Sequence, residues 1–115
     1  MAYLTVDITN ASDGPFSLAT LFAGGTIAGV TLTPAVPPKP PRIVAQLLLQ
    51  ADPANAGDML VGTDASMLPT AGGGTGQDLQ AGRGLQLNNV ALTGVFISAT
   101  AAPAKVNIIA NGGFQ

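Results

Sequence analysis

The sequence predicts an all-β protein, built as an antiparallel sandwich or barrel. Short runs in which apolar and polar residues alternate recur along the chain, and this period of two is typical of half-buried β-strands. Fifteen glycines and nine prolines among 115 residues supply many turns and leave little room for long helices. The length suits one domain with one core, because a chain of this size buries roughly two-thirds of its unfolded surface.

The N-terminal third predicts one clear strand and a hairpin. In residues 3–9, apolar side chains at every second position alternate with polar ones. After a turn cluster, two apolar runs, residues 16–23 and 26–33, flank a glycine pair and predict a β-hairpin. Residues 1–33 are too short to hold a core alone, so we interpret them as an arm or as an additional layer of strands.

A proline-rich segment, residues 34–42, separates this part from the rest of the chain. It contains five of the nine prolines. Proline fixes its own φ angle and donates no backbone hydrogen bond, so the segment predicts a stiff, extended and solvated connector. Residues 37–42 also fit a ligand for an SH3-type groove. We favour the connector, because the segment joins two β regions.

Residues 43–115 predict the core of the sandwich. Residues 43–51 fit strand alternation and also helical spacing, and we favour a strand because prolines precede it and Asp52-Pro53 follows it. Further short strands are expected at residues 59–62, 85–87, 94–99 and 105–110, with a long loop over residues 63–84.

The residue types present exclude several kinds of chemistry. The chain has no cysteine, histidine or tryptophan, which rules out a disulfide and argues against zinc or copper. All six acidic residues are aspartates at spacings that match no catalytic pair, and the glycines of residues 72–76 lack the Gly-Lys-Ser/Thr ending of a phosphate loop. We therefore expect neither an enzyme nor a cofactor.

The charge content is unusually low for a soluble domain. Only 9% of the residues are charged, against roughly 25% in an average domain. With a net charge of −2, a nucleic-acid surface is disfavoured, and no apolar run approaches the roughly 20 residues of a membrane span. An uncharged surface fits a protein packed against neighbours, and it fits equally a soluble β domain whose surface is rich in Thr and Asn.

The order of elements over residues 43–110 resembles a known layout. A strand at residues 43–51 is followed by the turn Asn55-Ala56-Gly57, the strand Met59-Leu60-Val61-Gly62, the loop Leu79-Gln80-Ala81-Gly82 and two final Val/Ile strands. This order is similar to that of small β-sandwich virion proteins of tailed bacteriophages. These include capsid decoration (cement) proteins and modules of head fibres or tails.

The resemblance implies a jelly-roll-like sandwich, trimeric at a local three-fold axis on the outer surface of the virion head. The implied partners are copies of itself and the major capsid protein, without nucleic acid or membrane. The implied function is a capsid decoration protein that stabilises the head through strand and apolar contacts. The alternative is a receptor- or glycan-binding module of a head fibre or tail, in which residues 63–84 would carry function. The shortage of aromatic residues weighs against that alternative.

In the decoration hypothesis, residues 1–33, tethered by the proline-rich segment, would reach a neighbouring subunit or the major capsid protein. The strand at residues 3–9 would add to an exposed sheet edge, as extended arms do. The expected interface residues are Tyr3, Leu4, Val6, Ile8, Pro37, Pro38, Pro40 and Pro41.

Overall fold

Two antiparallel β-sheets face each other across an apolar core in the computed structural model, which describes residues 2–10, 14–62 and 77–113. The strands are β1 (Ala2–Ile8), β2 (Phe16–Ser17), β3 (Val30–Thr33), β4 (Ile43–Ala51), β5 (Met59–Gly62), β6 (Gln77–Leu79), β7 (Gly84–Ala91), β8 (Phe96–Ala99) and β9 (Ala104–Asn111). A short helix, α1 (Leu18–Ala23), and one 3₁₀ turn (Leu92–Gly94) complete the described elements. The predicted all-β antiparallel sandwich is confirmed.

The larger sheet has the strand order β3-β1-β9-β4-β7, and the smaller has β2-β8-β5-β6. In the larger sheet, β1 pairs with β9 along its whole length, from Ala2 opposite Ala110 to Ile8 opposite Ala104. Strand β9 pairs with β4 on its other side. The first and last strands of the described chain therefore lie side by side in the middle of one sheet.

Alternating apolar side chains fill the space between the sheets. Strands β1 and β9 each bury every second residue, as period-2 patterns require. The smaller sheet and α1 cover this layer from the opposite side. The largest fully buried side chains come from both layers: Leu4, Ile8, Leu47, Leu49 and Ile108 from the larger sheet, and Leu18, Leu21, Met59 and Ile97 from the other.

The N-terminal segment belongs to this core, so its interpretation as an arm is wrong. Leu4, Val6 and Ile8 are at most 1% exposed. Strand β1 pairs with β9 over residues 2–8 and with β3 over residues 5–8. The part that is paired on both sides has no free edge to offer another chain. Residues 1–33 instead contribute strands to the same sandwich as residues 43–115.

The hairpin expected around the glycine pair is replaced by α1 and a turn. Leu18, Leu21 and Phe22 have the spacing of one helical face, and all three are buried. Gly24 ends the helix with φ +79°, a conformation that glycine adopts without steric cost. Of the second strand expected in the hairpin, residues 26–33, only β3 (Val30–Thr33) forms. Short apolar runs do not distinguish a buried strand from a buried helical turn.

The proline-rich segment is solvated over only part of its length: Pro37 packs against the end of α1, whereas Ala35, Val36, Pro38, Lys39 and Arg42 are exposed. The N–H of Gly25 donates a hydrogen bond of 3.1 Å to the carbonyl oxygen of Ala35. Pro37 is buried, and its Cδ would lie 3.0 Å from a Cβ placed on Gly24. The segment therefore forms part of the wall of the sandwich at this end.

Strands β4 and β7 change their inward-facing side together. In β4 the buried positions pass from Val44 to Leu47, so the alternation shifts by one residue at Ala45. Asn89, across from Ala45 in the register of the two strands, has φ +54°. Asparagine tolerates this left-handed conformation better than most residues. The shift leaves Ile43 exposed, although the sequence placed it on the buried face with Leu47.

The turn after β4 is fixed by side-chain hydrogen bonds. The side-chain amide of Asn55 donates to the carbonyl oxygen of Lys105 (3.0 Å) and accepts from its N–H (2.8 Å), as a neighbouring strand would. Gly57 packs so closely beneath Thr100 that a Cβ would collide with the threonine hydroxyl. These contacts give a physical reason for the Asn-x-Gly spacing noted in the sequence.

We expect Leu4→Ala to lower the free energy of unfolding by about 2–5 kcal/mol, because it leaves a cavity in the core. Tyr3→Ala on the same strand should change it by about 0.5 kcal/mol or less, since Tyr3 points to solvent. Urea unfolding followed by circular dichroism measures both. Equal, small effects of the two substitutions would mean that β1 is a detachable arm after all.

Candidate functional site: an uncharged sheet face

The structure separates the eight expected interface residues into three groups. Tyr3 lies on the outer side of the larger sheet and is 56% exposed. Leu4, Val6 and Ile8 point to the opposite side, into the core, so they are not available to a partner. The expected interface residues of β1 therefore lie on opposite faces of the strand, because alternate residues of a strand point to opposite sides of the sheet.

The four prolines form the third group, at one end of the sandwich. Pro37 is buried, so the expectation that it contacts a partner is wrong. Pro38 is exposed, and Pro40 and Pro41 are half-buried. They do not lie on the sheet surface that carries Tyr3.

The outer side of β1, β9, β4 and β7, which we call the open face, carries a row of apolar side chains. The register places Tyr3 opposite Ile109, Ile109 opposite Leu48, and Leu48 opposite Gln86. Leu48 is 37% exposed, and Ile109 between its neighbours is half-buried. An apolar row therefore crosses three adjacent strands and ends at an amide.

Neutral polar side chains flank this row on both sides. One flanking row is Thr5, Asn107 and Gln50, ending at Gly84, and the other is Asn111, Gln46 and Asn88. Three hydrogen bonds order these groups: Thr5 Oγ1 to Asn107 Oδ1 (2.8 Å), Gln86 Nε2 to Asn88 Oδ1 (2.9 Å), and Gln50 Nε2 to the carbonyl oxygen of Gly82 (3.0 Å). The open face thus offers amide donors and acceptors around an apolar centre.

Charged side chains stand at the margin of the open face. Asp7 and Lys105 lie opposite each other in the β1–β9 register, one row beyond Thr5 and Asn107. The apolar row and both flanking rows carry no charged side chain. A partner surface that meets the middle of the open face must therefore be neutral or weakly polar to be complementary.

A shallow groove of about 370 Å³ runs across the open face beside Leu48 and Ile109. Gln50, Gln86 and Asn107 line it as well. Gly84 keeps it open, because this position of the row has no side chain. A Cβ at Gly84 would lie 2.8 Å from Gln50 Oε1.

Sequence reasoning missed the open face as a site. The alternation predicts which residues of β1, β4 and β9 share a side of their strand, but nothing in the sequence states which strands are neighbours. The loop expected to carry function in the alternative reading, residues 63–84, is described only from residue 77 onward. The glycine-rich residues 72–76 also lie outside the described residues.

Two aspartates from distant parts of the chain meet at the smaller sheet. Asp58 precedes β5 and Asp78 lies in β6, its strand partner. Partial loss of water around the carboxyl group raises the pKa of Asp78, and a hydrogen bond to Asp58 and the like charge on Asp58 raise it further. The sequence expectation saw no paired carboxylates, because β6 was taken as loop.

The described residues place no third metal-ligating side chain beside this pair, and no helix among them is long and apolar enough to cross a membrane. Ser98 in β8 is fully buried, and its hydroxyl has no hydrogen-bond partner within the described part of the chain. Activation of a serine nucleophile requires an adjacent base. We therefore interpret Ser98 as a residue that packs in the core and not as a nucleophile.

We expect Asp78→Asn to raise the melting temperature at pH 7. A raised native pKa means that protonation of Asp78 favours the folded state, so stability is lost as pH rises through that pKa. The advantage of the variant should shrink as the pH falls below the ordinary aspartate range of about 4. Thermal unfolding at pH 7 and pH 3 measures this. Asp7→Asn is the control, since Asp7 faces Lys105, and an equal gain there would contradict the explanation.

Comparison of the chain with protein-family models, with curated proteins and with solved structures gives no match in any of the three.

Proposed function

We propose that this chain is a non-enzymatic assembly protein that binds the outer surface of a bacteriophage head and stabilises it. The proposal joins the resemblance of residues 43–110 to capsid decoration proteins with one observation, the uncharged open face. Its binding element is the sheet surface around Leu48 and Ile109, not an N-terminal arm. The proposed partners are the major capsid protein and further copies of the chain in a homotrimer.

The chemistry of the open face supports this role. Interface centres are depleted in charged residues and enriched in apolar and aromatic ones, with polar groups at the rim. The row from Tyr3 to Leu48 has this composition, and the amides beside it satisfy hydrogen bonds at its border. Four cations against six aspartates disfavour binding to nucleic acid, which depends on neutralising phosphates.

Strand β7 offers a second element for the same purpose. It lies at the edge of the larger sheet and pairs with β4, and no other described strand covers its far side. Charged side chains and prolines protect sheet edges from pairing with other chains. The eight residues of β7 include neither. The strand contact expected of β1 is therefore assigned to β7, whose free backbone groups continue beside Gln86 and Asn88 of the open face.

The stabilising mechanism is mass action. A protein that binds only the assembled shell lowers the free energy of that shell. The stabilisation grows with the ratio of the free protein concentration to Kd. Many symmetry-related copies repeat the same contact, so a modest affinity per copy becomes a large effect per head.

We expect Leu48→Lys to reduce occupancy on expanded phage heads by about tenfold or more, because it puts an unpaired charge in the apolar centre. Val36→Lys is the matched control, since Val36 is 80% exposed and lies away from the open face. Sedimentation of heads followed by quantitative gel analysis measures occupancy. Equal occupancy of the two variants would refute the open face as the contact, and failure of the unaltered chain to bind would refute the function.

The alternative, a glycan-binding module of a fibre or tail, is favoured by one feature of the open face. Tyr3 exposes its ring next to Ile109, which borders the amide-lined groove. Stacking on an aromatic ring and hydrogen bonds from neutral amides suit an uncharged sugar.

A glycan array distinguishes this alternative. If it holds, neutral oligosaccharides bind, and Tyr3→Ala weakens them by about tenfold or more, the loss of one stacking contact. Thr31→Ala, on the edge strand β3 of the same sheet, should leave the signal unchanged. An array without signal would remove the alternative.

A further inference from the structure

A second groove lies at the end of the sandwich, away from the open face. It is bounded by α1, by the proline-rich segment and by the end of β7, and we call it the proline groove. Its volume is about 540 Å³, within the roughly 300–1,000 Å³ typical of small-molecule sites. Most of its wall is apolar: Phe22, Val36, Pro37, Pro40, Ile43 and Leu92.

Backbone hydrogen bonds join the walls of the proline groove to one another. The N–H of Gly25, just after α1, donates to the carbonyl oxygen of Ala35 (3.1 Å), and the N–H of Leu92 donates to the carbonyl oxygen of Arg42 (3.3 Å). The shift of register in β4 and β7 turns Ile43 and Ala91 toward this end of the sheet. The groove is thus formed before any ligand arrives, which lowers the ordering cost of binding.

The charge of the proline groove is one-sided. Lys39 and Arg42 line it, and no acidic side chain does among the residues that the structure describes. Neither cation makes an ion pair or a side-chain hydrogen bond within the described part of the chain. Two of the four cations of the sequence therefore stand beside an apolar groove with no counter-charge from the described residues. A ligand complementary to this arrangement is apolar in its body and negative at one end.

The composition of the wall decides between a peptide and a small molecule. Proline has no N–H, and residues 34–42 contain five prolines, so this wall offers few donors to a polypeptide backbone. A peptide lying in the groove would bury amide groups without partners, which is costly. A molecule whose only polar group is its anionic head buries no unpaired amide, so its binding does not carry this free-energy cost.

We propose that the proline groove binds an amphipathic carboxylate, with its alkyl chain against Phe22, Pro40 and Leu92 and its carboxylate at Lys39 and Arg42. This site uses none of the open-face residues, so it is independent of the proposed function. Each methylene buried in the groove strengthens binding by about fourfold.

Isothermal titration calorimetry of the full chain with octanoate tests the proposal. We expect octanoate to bind about tenfold or more tightly than hexanoate, which has two methylenes fewer. Octylammonium has the same chain and the opposite charge, and should bind about tenfold or more weakly than octanoate.

Two variants locate the site. Lys39→Gln combined with Arg42→Gln should weaken octanoate by about tenfold or more, whereas Lys105→Gln, a matched change at the margin of the open face, should not. Ala23→Trp, at the exposed end of α1 on the groove wall, should abolish binding by filling the groove. Circular dichroism confirms that each variant is folded.

The proposal is overturned if octanoate shows no saturable binding, or if octanoate and octylammonium bind equally well. It is also overturned if the double variant binds octanoate as the unaltered chain does. A further outcome is that an acidic peptide binds more tightly than octanoate and loses that binding in Ala23→Trp. That result would assign the groove to a protein partner and would also refute the proposed carboxylate ligand.

Discussion

The pairing of β1 with β9 is the interaction on which the rest of the structure depends. It joins residues about a hundred positions apart in sequence, and it continues through seven residue pairs. The larger sheet cannot be completed until both ends of the described chain have met, which carries the entropic cost of closing a long loop. Once formed, the pair presents Leu4, Val6, Val106 and Ile108 as one continuous inward surface, against which the smaller sheet packs.

The same pairing creates the open face. Because alternate residues of a strand point to opposite sides, burying Leu4 and Ile108 forces Tyr3 and Ile109 outward and places them side by side. Leu48 joins them through the β9–β4 register. The open face and the core are therefore the two sides of one hydrogen-bonded sheet, and a slip of one residue in the pairing would exchange them.

Much of the strand content could be predicted from the sequence, because regular alternation in residues 3–9, 43–51 and 105–110 has a direct physical cause. What could not be predicted depended on contacts between distant residues. Leu18, Leu21 and Phe22 lie on one buried face of α1, which contacts the 3₁₀ turn at Leu92–Gly94. Six residues are too few for periodicity to predict this helix. The shift at Ala45 depends on Asn89 in the neighbouring strand.

The candidate sites were harder to anticipate than the fold. Sequence reasoning identified Tyr3 and the prolines but joined them in one interface, whereas the structure places them on separate surfaces. Asp58 and Asp78 lie close together because β5 pairs with β6. No local pattern predicted a strand at the three residues of β6. Composition indicated that the surface is poor in charge, but only the register shows where the neutral area is continuous.

The absence of charge from the middle rows of the open face governs how an attachment through it responds to salt. Coulomb interactions between exposed charges fade beyond about 8 Å at physiological ionic strength, so complexes held by them loosen as salt is added. Contacts made by Leu48, Ile109 and neutral amides contain no such contribution, and a complex built on them holds in dilute and concentrated electrolyte alike. A partner that met this neutral area would gain no electrostatic steering from it, so association would proceed at the unsteered rate of about 10⁵–10⁶ M⁻¹s⁻¹.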